Sequence, residues 1–266
     1  IIICDDTKSH ALPRLSSPMH PLTLAFVLAL TAHLIVQLWL ARRQIAYVAE
    51  HRGSIPAGFE TALTAAEHSK AADYSVARQR VGIVETIYDS AVVLALTLGG
   101  GIAFVGEWAA VVASPGVLAG TAHLLGVFAL LALLGLPFGI YRTFVLEQKF
   151  GFNRTRPGTF VADQLKGWAI GLALGGALAA GVLWIMATAG TSWWLVGWGA
   201  WMGFTLLVTW AWPRVIAPLF NRFSPLEDAA LRERIDALLA RCDFPAKAVY
   251  VTDGSRRSAH GNAYFT

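Results

Sequence analysis

The sequence predicts an α-helical, multi-pass membrane protein: five transmembrane helices, then the start (helix plus β-hairpin) of an α+β domain. Three observations carry this. Of 266 residues, 56% are hydrophobic and 14% charged, against about 25% charged in a typical soluble domain, and the mean hydropathy is +0.54. Residues 20–41, 90–106, 108–141 and 167–213 contain no Asp, Glu, Lys or Arg. Past Trp212 the character changes, with charged residues interleaved among apolar ones. This composition excludes an ordinary cytosolic enzyme, a disordered chain and a disulfide-stapled secreted module. Cys4 and Cys242 are isolated, with no CxxC or Cys/His cluster beside them. The net charge of +4 follows membrane topology rather than forming a patch, so no nucleic-acid partner is expected.

A helix needs roughly 20 apolar residues to cross the hydrocarbon core. The first uncharged run is one span, too long for a signal-peptide core and lacking a small-residue cleavage site. A second span starts near Ile83, with Glu85 and Asp89 in its first turns. The third uncharged run breaks at Ser114-Pro115-Gly116, leaving a span from about Val117 to Ile140. The fourth is too long for one helix and breaks at Ala189-Gly190-Thr191-Ser192, giving two more. Nineteen of the 21 Lys and Arg residues fall in 42–82, 141–166 and after Trp212, which places those segments in the cytoplasm and the N-terminus outside. Residues 1–18 precede Met19 and read as a non-native or disordered leader; residues 19–216 form the five-span domain with cytoplasmic loops 42–82 and 141–166.

Between the spans, Thr61 to Arg80 reads as an Ala-rich helix that lies on the membrane surface or extends a span inward. Gly167, Gly171 and Gly175, followed by Ala179, form a small-residue ridge suited to close packing within the bundle. Glu85, Asp89, His33 and His123 are the ionisable groups within or near the spans. Such groups are functional hypotheses by default, although a hydrogen-bonded imidazole is an equally simple reading. Beyond Trp212, Ser224-Pro225-Leu226-Glu227 has the pattern of a capping box. Leu231, Ile235, Leu238 and Leu239 then line one helical face. Val249 to Thr252, Asp253-Gly254-Ser255 and Ala259 to Phe265 read as strand, turn and strand. One helix and one hairpin cannot make a self-sufficient core, so residues 217–266 are expected to be the incomplete beginning of a domain.

Two cytoplasmic segments are distinctive. The first runs Leu146-Glu147-Gln148-Lys149-Phe150-Gly151-Phe152-Asn153-Arg154-Thr155 and continues through Phe160 to Asp163-Gln164-Leu165-Lys166. The second runs Pro218-Leu219-Phe220-Asn221-Arg222-Phe223 and continues to Val251-Thr252-Asp253-Gly254-Ser255-Arg256-Arg257-Ser258-Ala259-His260-Gly261-Asn262-Ala263-Tyr264-Phe265. From about Met19 to Thr266 the chain resembles the type I CAAX prenyl endopeptidases, integral-membrane zinc metallopeptidases with an N-terminal five-helix membrane region.

The resemblance implies a zinc metalloendopeptidase that processes CAAX-box proteins or turns over membrane proteins. It also implies a peptide or lipidated-peptide substrate at the cytoplasmic face. An HExxH helix would supply two zinc ligands and a general base, because His at i and i+4 share one helix face. The chain departs from the family here: His10, His20, His33, His51, His68, His123 and His260 are its histidines, and none begins HExxH. The expectation is a fragment that stops before that helix, with zinc in the full-length protein and neither metal nor activity in this chain alone.

By resemblance, His260, Asn262, Ala263 and Tyr264 border the substrate cleft, where an extended peptide would add through main-chain hydrogen bonds. Without the resemblance, His260 and Asn262 read as groups satisfying turn and strand-end backbone. Arg256-Arg257 reads as a solvated turn or a contact to headgroups or a substrate carboxylate, and Glu147 as helix-end structure. The Ala/Leu/Gly/Arg-heavy composition suggests a bacterial inner membrane. A small transporter or channel, or a non-catalytic membrane scaffold, is the alternative function.

Overall fold

The computed structural model describes residues 20–55, 58, 59, 61, 63–244 and 248–261. The leader expected at 1–18 lies outside them. The chain divides into two compact units, Ile1–Val93 and Leu94–Thr266.

In the first unit, α1 (Pro21–Glu50) starts where the His20 side chain accepts from the Leu22 amide, with Pro21 at the first helical position. Its 30 residues correspond to about 45 Å, so it passes well beyond the hydrocarbon. No α1 residue is buried, as expected of a helix whose apolar surface is covered by lipid. α2 (Ala65–Thr97) opens with a reciprocal capping box. The Thr64 amide and hydroxyl donate to Glu67 Oε2 at 2.9 and 2.7 Å, and the Glu67 amide donates back to Thr64 Oγ1 at 3.2 Å. The Ala-rich segment at Thr61 to Arg80 is thus mostly a continuous helical extension of the second span. Arg52 ties the end of α1 to α2 through two 2.8 Å hydrogen bonds to Asp73.

The expected second span is interrupted. α2 ends at Thr97 and α3 (Gly101–Val112) resumes beyond Gly99-Gly100. A side chain at Gly99 would lie 2.5 Å from the Ala95 carbonyl oxygen, and Gly100 has φ +79°. Both positions require glycine. The remaining predicted breaks hold. α4 (Val117–Tyr141) begins after Gly116, and α6 (Pro157–Thr188) is separated from α7 (Trp193–Ala211) by a 3₁₀ turn at Gly190–Ser192. Four stretches are long and apolar enough to cross a membrane: Pro21–Glu50, Val117–Phe150, Pro157–Thr188 and Gly190–Phe220. The α2–α3 pair passes the same criterion as one broken span.

In the second unit α3 packs on α4, α4 on α6, and α6 on α7. The small-residue ridge works differently from its sequence pattern. Gly167 and Gly171 have open space around them, and only Gly175 with its neighbour Gly176 meets α4, at Leu125. The close approaches between packed helices are instead at glycines of α3 and α4. A side chain at Gly126 would lie 2.8 Å from Val105, one at Gly120 2.9 Å from Leu183, and one at Gly106 3.1 Å from the His123 ring. His123 Nε2 sits 2.9 Å from the Ile102 carbonyl oxygen, so the imidazole is a satisfied packing group that donates from Nε2.

Past Tyr141 the helix widens into a π-helical turn, Arg142–Glu147, and closes as α5 (Gln148–Phe150). Gly151 at φ +79° ends it. A second π-helical turn, Trp212–Ile216, joins α7 to α8 (Ala217–Phe220).

The C-terminal hairpin is not formed as expected. β1 (Phe223–Pro225) pairs antiparallel with β2 (Tyr250–Thr252), in register Phe223 with Thr252 and Pro225 with Tyr250. The segment read as a capping box is therefore a strand. Phe223–Pro225 pairs with Tyr250–Thr252, a partner 27 residues on that the local pattern does not reveal. Asp228 takes the cap instead, its carboxylate accepting from the Leu231 amide at 3.0 Å, and α9 (Ala229–Arg241) follows. After β2, Asp253–Arg256 is a 3₁₀ turn. It leads the chain away from β2, and Ser258 bridges to Asn153. The second strand expected from Ala259 to Phe265 is not formed through Gly261, and the rest of it lies outside the described residues.

Candidate functional site

The two distinctive segments meet at the end of the second unit where α5, the start of α6, α8 and the 3₁₀ turn converge. Their junction is Arg257. Its Nε and Nη2 donate to the two Asp163 carboxylate oxygens at 2.6 and 3.0 Å. Nη2 also donates to the Phe220 carbonyl at 2.7 Å, and Nη1 to Asn221 Oδ1 at 2.9 Å. The planar guanidinium presents its donors as a fork, which allows one side chain to serve a carboxylate and a chain end together. The Arg257 carbonyl accepts from the Arg154 amide at 3.1 Å and from Thr155 Oγ1 at 2.9 Å. Hydrogen bonding to Asp163 holds Arg257 charged, raising its already high pKa. Neither the solvated-turn reading nor the headgroup reading of Arg257 survives this geometry. Arg256 is the exposed one, pairing with Asp253 at 3.1 Å.

Asp253 closes a second clasp. Its carboxylate accepts from the Arg222 amide at 2.7 Å, and its amide donates to the Arg222 carbonyl at 3.2 Å. The Arg222 hydrogen bond is the main cause holding Asp253 below the usual carboxylate range. Lys166 adds a third link by donating to the Leu219 carbonyl at 2.9 Å.

Beyond Arg257 the chain runs along the segment that follows α5. The Ala259 amide donates to the Phe152 carbonyl at 2.9 Å. The His260 ring stacks on Phe152 with centroids 4.1 Å apart, and its Nε2 lies 3.2 Å from Glu147 Oε2. A carboxylate only accepts, so the imidazole proton is on Nε2. Glu147 also ends its helix, its carbonyl accepting from the Phe152 and Asn153 amides. Its expected helix-end role is thus accompanied by a side-chain partner 113 residues away. Of the expected site residues, His260 sits here, its ring engaged by the Glu147 side chain and stacked on Phe152. Asn262, Ala263 and Tyr264 lie outside the described residues. Asp163 and Asn221 were legible only as members of the two segments, because an isolated Asp or Asn near a span end carries no partner information.

Among the described residues no group of three or more His, Cys, Asp or Glu side chains could hold a metal ion. His260 and Glu147 form a pair only. The described residues therefore do not by themselves fit a catalytic zinc.

The chain is similar to curated proteins named CAAX prenyl protease 1 homolog. The rice (Oryza sativa subsp. japonica) protein is 41% identical over 143 residues, covering 54% of this chain and 34% of that protein. The Caenorhabditis elegans protein is 31% identical over 199 residues, covering 74% of this chain and 44% of that protein. The human protein is 37% identical over 134 residues, 50% of this chain and 28% of that protein. The chain thus spans less than half the length of these relatives. The crystal structure of S. mikatae Ste24p superposes with a TM-score of 0.84 at 29% identity, over 94% of this chain and 60% of that one. These matches do not favour the transporter or scaffold alternatives. Residues 44–222 match the family model described as CAAX prenyl protease N-terminal, five membrane helices, and the chain belongs to that family of integral multi-pass membrane proteins.

Proposed function

We propose that this chain is the membrane-proximal part of a zinc metalloendopeptidase of CAAX prenyl protease type. It would act on a peptide or lipidated peptide near the cytoplasmic face, in CAAX-box processing or membrane-protein turnover. The observation that carries the reading is the convergence on Arg257 of the two segments that resemble the family, within a chain whose residues 44–222 match the family model. In this reading the zinc ligands lie outside the described residues, and the chain by itself is inactive. The domain limits are 1–18 for the leader, 19–216 for the spans and 217–266 for the start of the peptidase domain.

The role assigned to this chain is positioning. The Arg257 and Asp253 contacts, with those of Ala259 and His260 to the segment after α5, support this reading, in which an extended substrate would add to the chain after Arg257 through backbone hydrogen bonds. His260, Asn262, Ala263 and Tyr264 are the proposed substrate-contacting residues. The charge distribution supports an outside N-terminus and a cytoplasmic C-terminal segment. The composition supports a bacterial inner membrane.

The test is cleavage of a farnesylated CAAX peptide by membranes carrying the full-length protein, with and without a zinc chelator, beside membranes carrying residues 1–266. Chelator-sensitive cleavage by the full-length protein alone is expected. Cleavage insensitive to chelation, or none by a zinc-loaded full-length protein on prenylated and unprenylated membrane substrates, overturns the reading.

A further inference from the structure

Above the Arg52–Asp73 clamp, α1 and α2 enclose an open cavity of about 730 Å³ within the first unit. Its walls run from the apolar part of α1 into the polar part beyond it. Gln37, Arg43, Gln44 and Glu50 line it from α1, and Gln79 and Thr86 from α2. Among the described residues Gln37, Gln44, Gln79 and Glu50 have no hydrogen-bond or ion-pair partner, and Arg43 engages only the Trp39 ring, 5.6 Å away. Arg52, the cation nearest Glu50 in sequence, is held by Asp73. These accessible groups, most of them just past the end of the apolar run of α1, are free to take a polar ligand at headgroup depth.

The order of the charges selects the occupant. The apolar run of α1 ends near Ala41, and Trp39 marks the interface. Moving away from the hydrocarbon, the cavity presents Arg43 and then Glu50. They are seven residues apart, hence on one helix face and separated by about 10 Å along the axis. A phospholipid headgroup bearing an amine presents phosphate first and ammonium further out, the complement of this order. Leu40 and Ala41, on the hydrocarbon side of Arg43, suit the start of an acyl chain, and Gln37 one turn further in is within the depth of the ester groups. Gly82 keeps the α2 wall open, since a side chain there would meet only Gln79 Oε1, 3.9 Å from its first carbon.

The geometry points to a binding site for a phospholipid with a primary-amine headgroup, of the phosphatidylethanolamine type. Arg43 holds its phosphate and Glu50 its ammonium. The Glu50 carboxylate accepts hydrogen bonds from a primary ammonium and none from a quaternary one, so phosphatidylcholine binds less well. Phosphatidylglycerol meets Arg43 and offers Glu50 only neutral hydroxyl donors, which bind a carboxylate less strongly than an ammonium does.

The test is lipid retention by the full chain, measured by native mass spectrometry after incubation with phosphatidylethanolamine, phosphatidylcholine or phosphatidylglycerol. Phosphatidylethanolamine is expected to be retained about tenfold better than either, as one charge-assisted contact implies. Arg43→Gln should abolish that retention, and Glu50→Gln should erase the preference over phosphatidylcholine. Gly82→Leu fills the groove without touching either charge and should lower retention as Arg43→Gln does, with helix content by circular dichroism unchanged. Equal retention of the three lipids, or a preference that survives Glu50→Gln or Gly82→Leu, overturns the proposal. Complete displacement by an equal concentration of glycerophosphoethanolamine would identify a soluble phosphoamine as the ligand and overturn the lipid assignment.

Discussion

Arg257 and Asp163, 94 residues apart in sequence, form a two-pronged ion pair at 2.6 and 3.0 Å that joins the start of α6 to the segment leaving the C-terminal 3₁₀ turn. Both side chains are about three-quarters shielded, with 24% and 22% exposed. The pair is therefore worth more than a surface salt bridge and costs less desolvation than a core one.

Arg257→Ala should leave Asp163, Asn221 and the Phe220 carbonyl without their donor. A loss of about 2–3 kcal/mol in local stability is expected, the scale of charge-assisted hydrogen bonds at a shielded site. Arg257→Lys should recover little, because an ammonium cannot reproduce the fork. Hydrogen exchange of the Arg154 amide and the residues after β2 would report it, and unchanged protection in Arg257→Ala would refute the role.

The Asp253 clasp should be acid-sensitive. Its folded pKa lies below the unfolded value of about 3.9, so its contribution is present above that value and lost as pH falls through the folded one. The Arg222 amide resonance should therefore shift only at a pH below the unfolded carboxylate value of about 3.9. Asp253→Asn should remove that titration, and a shift persisting in the variant would assign it elsewhere.

Glycines in two environments should respond in opposite ways. At Gly126 an alanine side chain would come within 2.8 Å of Val105, a β-branched residue that turns reluctantly. Gly126→Ala should destabilise the α3–α4 contact by about 1–3 kcal/mol. Gly171 has open space, so Gly171→Ala should gain up to about 1 kcal/mol from helix propensity. Thermal unfolding in one detergent ranks the two variants; the same sign for both would contradict the packing described.

Glu147→Ala should release the His260 ring from its carboxylate partner while leaving its stack on Phe152 in place. Diethylpyrocarbonate should then modify His260 several-fold faster, as expected when one hydrogen bond near 1 kcal/mol is lost. Glu147→Gln, which can still accept, should stay near the parent rate. Equal rates for Ala and the parent would remove Glu147 from the site.

Cys242 is exposed and free at the end of α9. With the proposed topology, a membrane-impermeant maleimide should label the peptide carrying Cys242 in inverted vesicles and not in right-side-out ones. The opposite pattern would reverse the orientation.

The sequence exposed the spans because burial in lipid imposes long uncharged runs, and those runs survive in the structure at α1, α4, α6 and α7. It misplaced the C-terminal elements for a different reason. Ser224-Pro225-Leu226-Glu227 satisfies a capping pattern locally, yet the backbone of Phe223–Pro225 finds a better partner in Tyr250–Thr252, and Asp228 is free to cap α9. Likewise Asp253-Gly254-Ser255 has hairpin-turn composition, but the Arg222 backbone captures both the amide and the carboxylate of Asp253.

The sequence by itself determined a five-span membrane protein, its charge asymmetry and the two segments that resemble the family, because hydrophobic length and local motifs are one-dimensional properties. Only the tertiary structure decided that Arg257 binds Asp163 and Asn221, that His260 faces Glu147, and that Gly120 and Gly126 rather than Gly167 and Gly171 are the close-packed glycines. Those choices depend on which groups distant in sequence arrive within hydrogen-bonding or van der Waals range, and that distance is set by how the helices pack.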